Sequence, residues 1–201
     1  MAGEDSMIDL APIQDRDLLQ RLSIYFDAVE QRLRQGEGWM IFNAGSRRSR
    51  RISGFIQNRL AEQRPPVSYF MLPWRDFAIS SYVTEVGLPI LAPEVTHSPR
   101  AEAEFNLAAK VTSSIWTQML STDLLVLMGC KPAHRHEIEL LDRTLASRQG
   151  QRLATILMTP EMPQQLQADL ANVDPERRYW ESIFGGMYET GLVARSLRAA
   201  C

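Results

Sequence analysis

The chain has 201 residues, of which 45% are hydrophobic, enough to build the core of one domain. Its net charge of -2 at pH 7 gives the whole molecule no field that would draw it to nucleic acid or to a membrane. Two cysteines, Cys130 and Cys201, make no disulfide framework, and no apolar run reaches the roughly 20 residues that span a bilayer. We therefore expect one domain over 1–201, cytoplasmic and without membrane insertion, with residues 1–13 as a flexible tail.

Helical and strand-like patterns alternate along the first half of the chain. Apolar residues at three-to-four spacing predict helices, and short apolar runs bounded by loops predict strands. The predicted elements are a helix over 15–35, a strand over 38–42, a helix around 52–60, a strand over 67–72 and a helix over 74–86. Gly36 and Gly38 end the first of these helices.

The second half continues the alternation. Its predicted elements are a helix over 100–120, a strand over 122–128, a helix over 137–148, a strand over 153–158 and helical sequence beyond 163. Gly185 and Gly186 predict a break in that last helical part. Strands that alternate with helices of ten or more residues are typical of a parallel sheet covered on both faces.

The predicted fold is therefore an α/β three-layer sandwich with a mainly parallel sheet. Its order of elements is that of a P-loop NTPase core, with extra helices at the amino and carboxyl ends. We further expect the strand from Gly38 to lie beside the strand from Thr122, with neighbours on both sides.

The loop after the first predicted strand is rich in arginine. Its sequence, FNAGSRRSRR, stands where a P-loop NTPase has a glycine-rich phosphate cradle followed by Lys and Ser or Thr. Aligned with that motif, Arg47 replaces a glycine, Arg48 takes the Lys position and Ser49 takes the position of the magnesium hydroxyl. The candidate phosphate-binding or nucleic-acid-binding residues are Gly45, Ser46, Arg47, Arg48, Ser49, Arg50 and Arg51. We call Arg47, Arg48, Arg50 and Arg51 the arginine cluster.

The strand that should end in the acidic pair of the Walker B motif ends differently. The run TDLLVLMGC places Met128 and Gly129 at the two acidic positions, and neither residue can bind magnesium or accept a proton. Hydrolysis by the usual route is therefore not expected, and neither ATP nor magnesium is predicted as a cofactor. Cys130, His134, His136 and Glu137 match no common zinc spacing, so no metal site is predicted and these residues are expected in an exposed turn.

Three segments carry a family resemblance over roughly residues 18–185. They read LQRLSIYFDAVEQRLRQGEGWMIFNAG, TQMLSTDLLVLMG and HEIELLDRTLASRQGQRLATILMTP, and together they resemble the AAA+ ATPases of the DnaC/IstB-like helicase-loader and transposition-helper group. The resemblance implies an AAA+ core whose sensor Asn is replaced in Met158-Thr159-Pro160. It also implies an arginine that reaches the neighbouring subunit's phosphate, for which Arg177 or Arg178 stands in about the right place.

Three functions stay open at this stage. The first is a non-catalytic AAA+-like scaffold or adaptor that acts through protein contacts in a nucleic-acid-processing or secretion-type complex. The second is a nucleotide or DNA sensor that uses the arginine cluster, since arginine pairs well with phosphate at a helix start. The third is a weak ATPase that uses displaced acids such as Asp123 or Glu137. A protein partner in a multi-subunit complex is expected, and the sequence leaves open whether the chain also binds nucleic acid or forms an oligomer.

Overall fold

The structure, a computed structural model, describes residues 13–83, 99–176 and 178–194. Nearly all of the predicted tail lies outside these residues. Its last residue, Ile13, is 7% exposed and belongs to the core. None of the helices in the described part combines the length and the apolar character that crossing a bilayer requires.

The described residues form eight helices and five strands. In chain order they are α1 (Arg16–Asp27), α2 (Val29–Gln35), β1 (Gly38–Ile41), α3 (Ser46–Ala61), β2 (Tyr69–Pro73), α4 (Trp74–Tyr82), α5 (Pro99–Ser121), β3 (Leu124–Met128), α6 (Arg135–Gly150), β4 (Ala154–Met158), α7 (Pro163–Val173), α8 (Arg178–Thr190) and β5 (Gly191–Ala194).

The five strands form one parallel sheet in the order β2-β3-β4-β1-β5. The strand β4 pairs with β1 on one side and with β3 on the other, in the registers Met40 with Leu157 and Val126 with Ile156. The predicted adjacency of β1 and β3 is therefore wrong, because β4 lies between them. The prediction that each has neighbours on both sides is confirmed.

Alternate side chains of the strands point into two apolar layers, as the period of a strand requires. Leu124, Val126 and Met128 of β3 face α1, α2 and α3, whereas Leu125 and Leu127 face the layer built from α4 to α8. The sheet is thus covered on both faces. The predicted three-layer α/β sandwich with a parallel sheet is confirmed.

Two helix predictions differ from the structure. The helix predicted over 15–35 is divided at Ala28, whose φ of -114° and ψ of 26° leave the helical region. The break predicted at Gly185 and Gly186 is absent, because α8 continues through both residues. Ile183 and Phe184 pack into the core layer of α8, and this packing outweighs the low helix propensity of glycine.

Candidate functional site

The loop from β1 to α3 lies at the carboxyl end of the sheet, where ligands bind in open α/β folds. It is short, and its backbone amides donate within the protein. The N–H of Asn43 donates to the carbonyl of Glu161 at 3.0 Å, and the N–H of Ala44 donates to the carbonyl of Thr159 at 2.8 Å. In a phosphate cradle such amides point at the ligand. Here these two attach the loop to the chain that follows β4.

The arginine cluster occupies the first two turns of α3. Ser46 and Arg47 are exposed, and Arg48, Ser49, Arg50 and Arg51 are partly buried. The first turn of α3 contains no acidic residue, and its N-cap, Gly45, supplies no side-chain cap. Cations at this end oppose the helix dipole, each by some tenths of a kcal/mol, and anions are favoured there. The local electrostatics therefore favour a negative partner for the cluster.

Arg48, which aligns with the P-loop lysine, has such a partner within the chain. Its Nη2 lies 2.9 Å from Oδ2 of Asp15, and the two side chains are 25% and 24% exposed. Asp15 is the N-cap of α1, and its other oxygen, Oδ1, accepts from the N–H of Leu18 at 3.1 Å. One carboxylate therefore joins the amino ends of α1 and α3.

A methionine, Met128, occupies the first acidic position of the Walker B motif. Met128 ends β3, is 8% exposed, and accepts a hydrogen bond at Sδ from the hydroxyl of Ser53 of α3 at 3.1 Å. A thioether is a weak acceptor and does not attract a hard cation such as magnesium. Gly129 follows with φ of 77° and has open space around the position of a Cβ. This strand end packs on α3 and offers no carboxylate.

Thr159, which precedes the sensor position at Pro160, is held by two hydrogen bonds. The N–H of Thr159 donates to the carbonyl of Ile41 at 2.9 Å, which extends the pairing of β4 with β1. The fully buried hydroxyl of Thr159 accepts from the N–H of Glu161 at 3.2 Å. The carboxyl ends of β1 and β4 are thus fastened to each other.

Asp123 and Glu137, the two acids considered for a weak ATPase, both accept hydrogen bonds within the protein. Asp123 precedes β3 at the amino end of the strands, where its Oδ2 accepts from both the N–H and the hydroxyl of Ser68. A strand of five residues is roughly 17 Å long, so this carboxylate is far from the loop. Glu137 is 4% exposed and accepts from the N–H of Ala133 at 2.9 Å. Neither geometry favours activation of a water molecule beside Ser49.

The predicted exposed turn after β3 is wrong for three of its four residues, because only His134 is exposed and outside a helix, and His136 is partly buried on α6. Cys130 is 1% exposed in the core layer of α4 to α8, and Glu137, in the first turn of α6, is 4% exposed. Burial and the nearby charge of Glu137 raise the pKa of the Cys130 thiol, which disfavours the thiolate that metals bind. Within the described ranges, no three His, Cys, Asp or Glu side chains are grouped to hold a metal ion.

The two arginines considered for a neighbouring subunit follow α7. Arg178 begins α8 and is exposed, whereas Arg177 lies outside the described residues. Exposure leaves the Arg178 side chain free to extend from the surface, and its role toward another subunit remains a prediction.

Asp15 is the site residue that the motif comparison missed. Its side chain is 33 residues away from Arg48 in sequence, so no local pattern links the two. The only available indication was its place immediately before an amphipathic helix, where Asp is a favoured N-cap.

Comparison with solved structures shows which known proteins have this arrangement of elements. The crystal structure of the DnaC helicase loader superposes with a TM-score of 0.59 at 16% identity, covering 96% of this chain and 98% of that one. A putative primosome component from Streptococcus pyogenes serotype M3 superposes with a TM-score of 0.50 at 13% identity, covering 97% and 87%. No family model and no curated protein matches the sequence. The chain therefore has a fold similar to that of the DnaC helicase loader, as the resemblance in sequence implies.

Proposed function

We propose that the protein is a non-catalytic AAA+-like adaptor that acts through protein contacts in a DNA-replication-type complex. The observation that supports this proposal is that several groups at the motif positions contact other parts of the protein. Loop amides donate to the carbonyls of Thr159 and Glu161, Asp15 pairs with Arg48, and Met128 packs on Ser53. These groups therefore have interaction partners within the protein without a bound nucleotide.

The choice of complex rests on the two structural neighbours. One is a helicase loader and the other is described as a primosome component, and both are covered over most of their length. We therefore favour a nucleic-acid-processing assembly over a secretion-type one, with a replicative helicase as the protein partner. A cytoplasmic location belongs to the same proposal.

Two measurements test the adaptor proposal. Equilibrium titration with fluorescent ATP, with and without magnesium, should show no binding by the wild type at concentrations below millimolar. Light scattering after gel filtration should show a complex with the purified replicative helicase, of equal stability with and without ATP. Magnesium-dependent phosphate release that Ser49→Ala abolishes would show instead that the protein is an ATPase.

A second function, a phosphate or nucleic-acid sensor, is favoured by one observation. The arginine cluster lies at a helix start that lacks acidic residues in its first turn, and this is a physically suitable place for a phosphate. Binding to single-stranded DNA should then fall steeply as salt rises, because each neutralised phosphate releases counterions. The triple variant Arg47→Ala, Arg50→Ala, Arg51→Ala should abolish that binding, and unchanged affinity in this variant would exclude the sensor.

A further inference from the structure

Two helices on the same face of the sheet are aligned side by side and joined by an ion pair at each end. Asp15 pairs with Arg48 at the amino end of both helices, and Asp27 pairs with Arg59 about three turns later. The rings of Phe26 and Phe55 pack edge-to-face between these pairs, with centroids 6.1 Å apart. The helices α1 and α3 therefore run parallel, and each ion pair closes one end of their contact.

The two ion pairs differ in their surroundings. The pair at the carboxyl end joins Arg59 to a carboxylate that is 65% exposed, as expected of a surface contact. The pair at the amino end is about three-quarters buried on both sides and lies where the dipole of α3 attracts an anion. Asp15 thus supplies, from inside the chain, the negative charge that this helix start favours.

We propose that Asp15 is an internal substitute for phosphate, which locks Arg48 and makes the loop refractory to outside phosphate groups. The carboxylate approaches the guanidinium at hydrogen-bonding distance, as a phosphate oxygen would, and it is fixed there by its second bond to the N–H of Leu18. This inference deepens the proposed function, on which it rests. An external phosphate must displace Asp15 before it can reach Arg48, and displacement uncouples the amino ends of α1 and α3.

The test compares variants in their binding of inorganic tripolyphosphate by isothermal titration calorimetry at low salt. Asp15→Asn removes the charge but keeps a good N-cap, so α1 should remain folded. We expect the affinity of Asp15→Asn for tripolyphosphate to be roughly five- to tenfold above that of the wild type, as expected when a partly buried ion pair no longer competes. Addition of Arg48→Ala should remove the gain.

The matched control is Asp27→Asn, which breaks the more exposed ion pair at the carboxyl end of the same two helices, roughly 17 Å away. It changes the net charge by the same amount and should leave the affinity for tripolyphosphate unchanged. Asp15→Ser is a second variant that keeps an uncharged N-cap, and we expect the same gain in affinity for tripolyphosphate. It takes the place of Asp15→Asn in the test if Asp15→Asn folds poorly. Circular dichroism checks the folding of each protein.

The outcomes separate this inference from the proposed function. The internal lock is overturned if Asp15→Asn and Asp15→Ser bind no better than wild type, if Asp27→Asn gains equally, or if the gain survives Arg48→Ala. Each of these results leaves the adaptor function intact when the wild type shows no ATP turnover. Turnover of ATP by the wild type would refute the adaptor function regardless of what the variants do.

Discussion

Replacement of the buried Arg148 by methionine should destabilise the fold strongly, although this arginine contacts no carboxylate in the described part of the chain. Its guanidinium is fully buried and donates to the carbonyls of Met119 at 2.6 Å and Ala154 at 2.5 Å, and to the hydroxyl of Thr155 at 3.0 Å. These bonds tie α5 and α6 to the start of β4. Arg148→Met would leave two buried carbonyls without their charged donor.

The size of the effect follows from two opposing terms. Each orphaned carbonyl costs about 2 kcal/mol, and part of this total is returned because methionine, unlike a guanidinium, is not costly to bury. We expect a net loss of about 3 kcal/mol in the free energy of unfolding. With an m-value of about 2 kcal/mol per molar urea, the midpoint of unfolding should fall by about 1.5 M.

Urea unfolding followed by far-UV circular dichroism measures this loss, with Arg135→Met as the control. Arg135 lies on the same helix but is exposed and paired with Glu139 at 3.0 Å, so its replacement should leave the midpoint of unfolding nearly unchanged. Burial lowers the pKa of Arg148 to about 10, partly offset by the charge of Asp123. The residue is therefore protonated in the folded and unfolded states from pH 5 to 8, and the loss should be equal at both ends of this range.

An Arg148→Met protein as stable as the wild type would refute the reasoning. It would mean that the desolvation of the guanidinium cancels its three hydrogen bonds, as happens when some buried ion pairs are replaced by apolar residues.

Three substitutions to or from glycine test the backbone contact between β1 and β4 and the turns after α2 and α6, by the same urea assay. Gly38→Ala should cost about 3 kcal/mol, because its Cβ would lie 2.2 Å from the carbonyl oxygen of Thr155 on the neighbouring strand; a loss below about 1 kcal/mol would mean that β1 and β4 separate readily. Gly36→Ala should cost about 2 kcal/mol, because φ is 70° and the Cβ would be 3.0 Å from the backbone of Arg152. Arg152→Gly should instead stabilise by about 0.5 kcal/mol, because Arg152 adopts φ of 57° at the end of α6, where glycine is favoured; a net loss would show that the Arg152 side chain stabilises this turn.

Local periodicity was sufficient to predict most elements of the fold, since each strand and helix buries a regular face. Ala28 shows its limit, because neither it nor its neighbours carry a glycine or proline that would indicate a break. The strand β5 was missed for a related reason. Its four residues, Gly191 to Ala194, follow a helix directly, and only pairing with β1 distinguishes them from a helix end.

The order of the strands lay beyond local sequence patterns. Both β1 and β3 have the continuous apolar pattern of central strands, which predicts two neighbours for each but not which neighbours they are. The strand β4 is a neighbour of both, since Leu157 pairs with Met40 of β1 on one side and with Leu127 of β3 on the other. Which strands become neighbours depends on how the helical crossover connections pack, and this packing involves residues far apart in the sequence.

The candidate site, like the fold, could be predicted from the sequence only in part. The residues at the motif positions could be predicted from the aligned loop and strand, and the structure places Arg48 at a helix start and Met128 at a strand end. Their partners, Asp15 and Ser53, are 33 and 75 residues away, so only the folded chain brings them together. The hydrogen bonds of the loop amides involve backbone groups, which every residue has, and therefore have no sequence signature.

These partners bear on how the site would respond to restoration of a single motif residue. An aspartate at position 128 would enter an apolar layer beside the hydroxyl of Ser53, and burial would favour its protonated form. A lysine at position 48 would still meet the carboxylate of Asp15, and the amides of Asn43 and Ala44 would still donate to carbonyls. Arg48 and Met128 are thus each matched by a contact elsewhere in the chain. Under the proposed adaptor function, restoration of a single motif residue is therefore not expected to create nucleotide binding, because the partners of that residue stay in place.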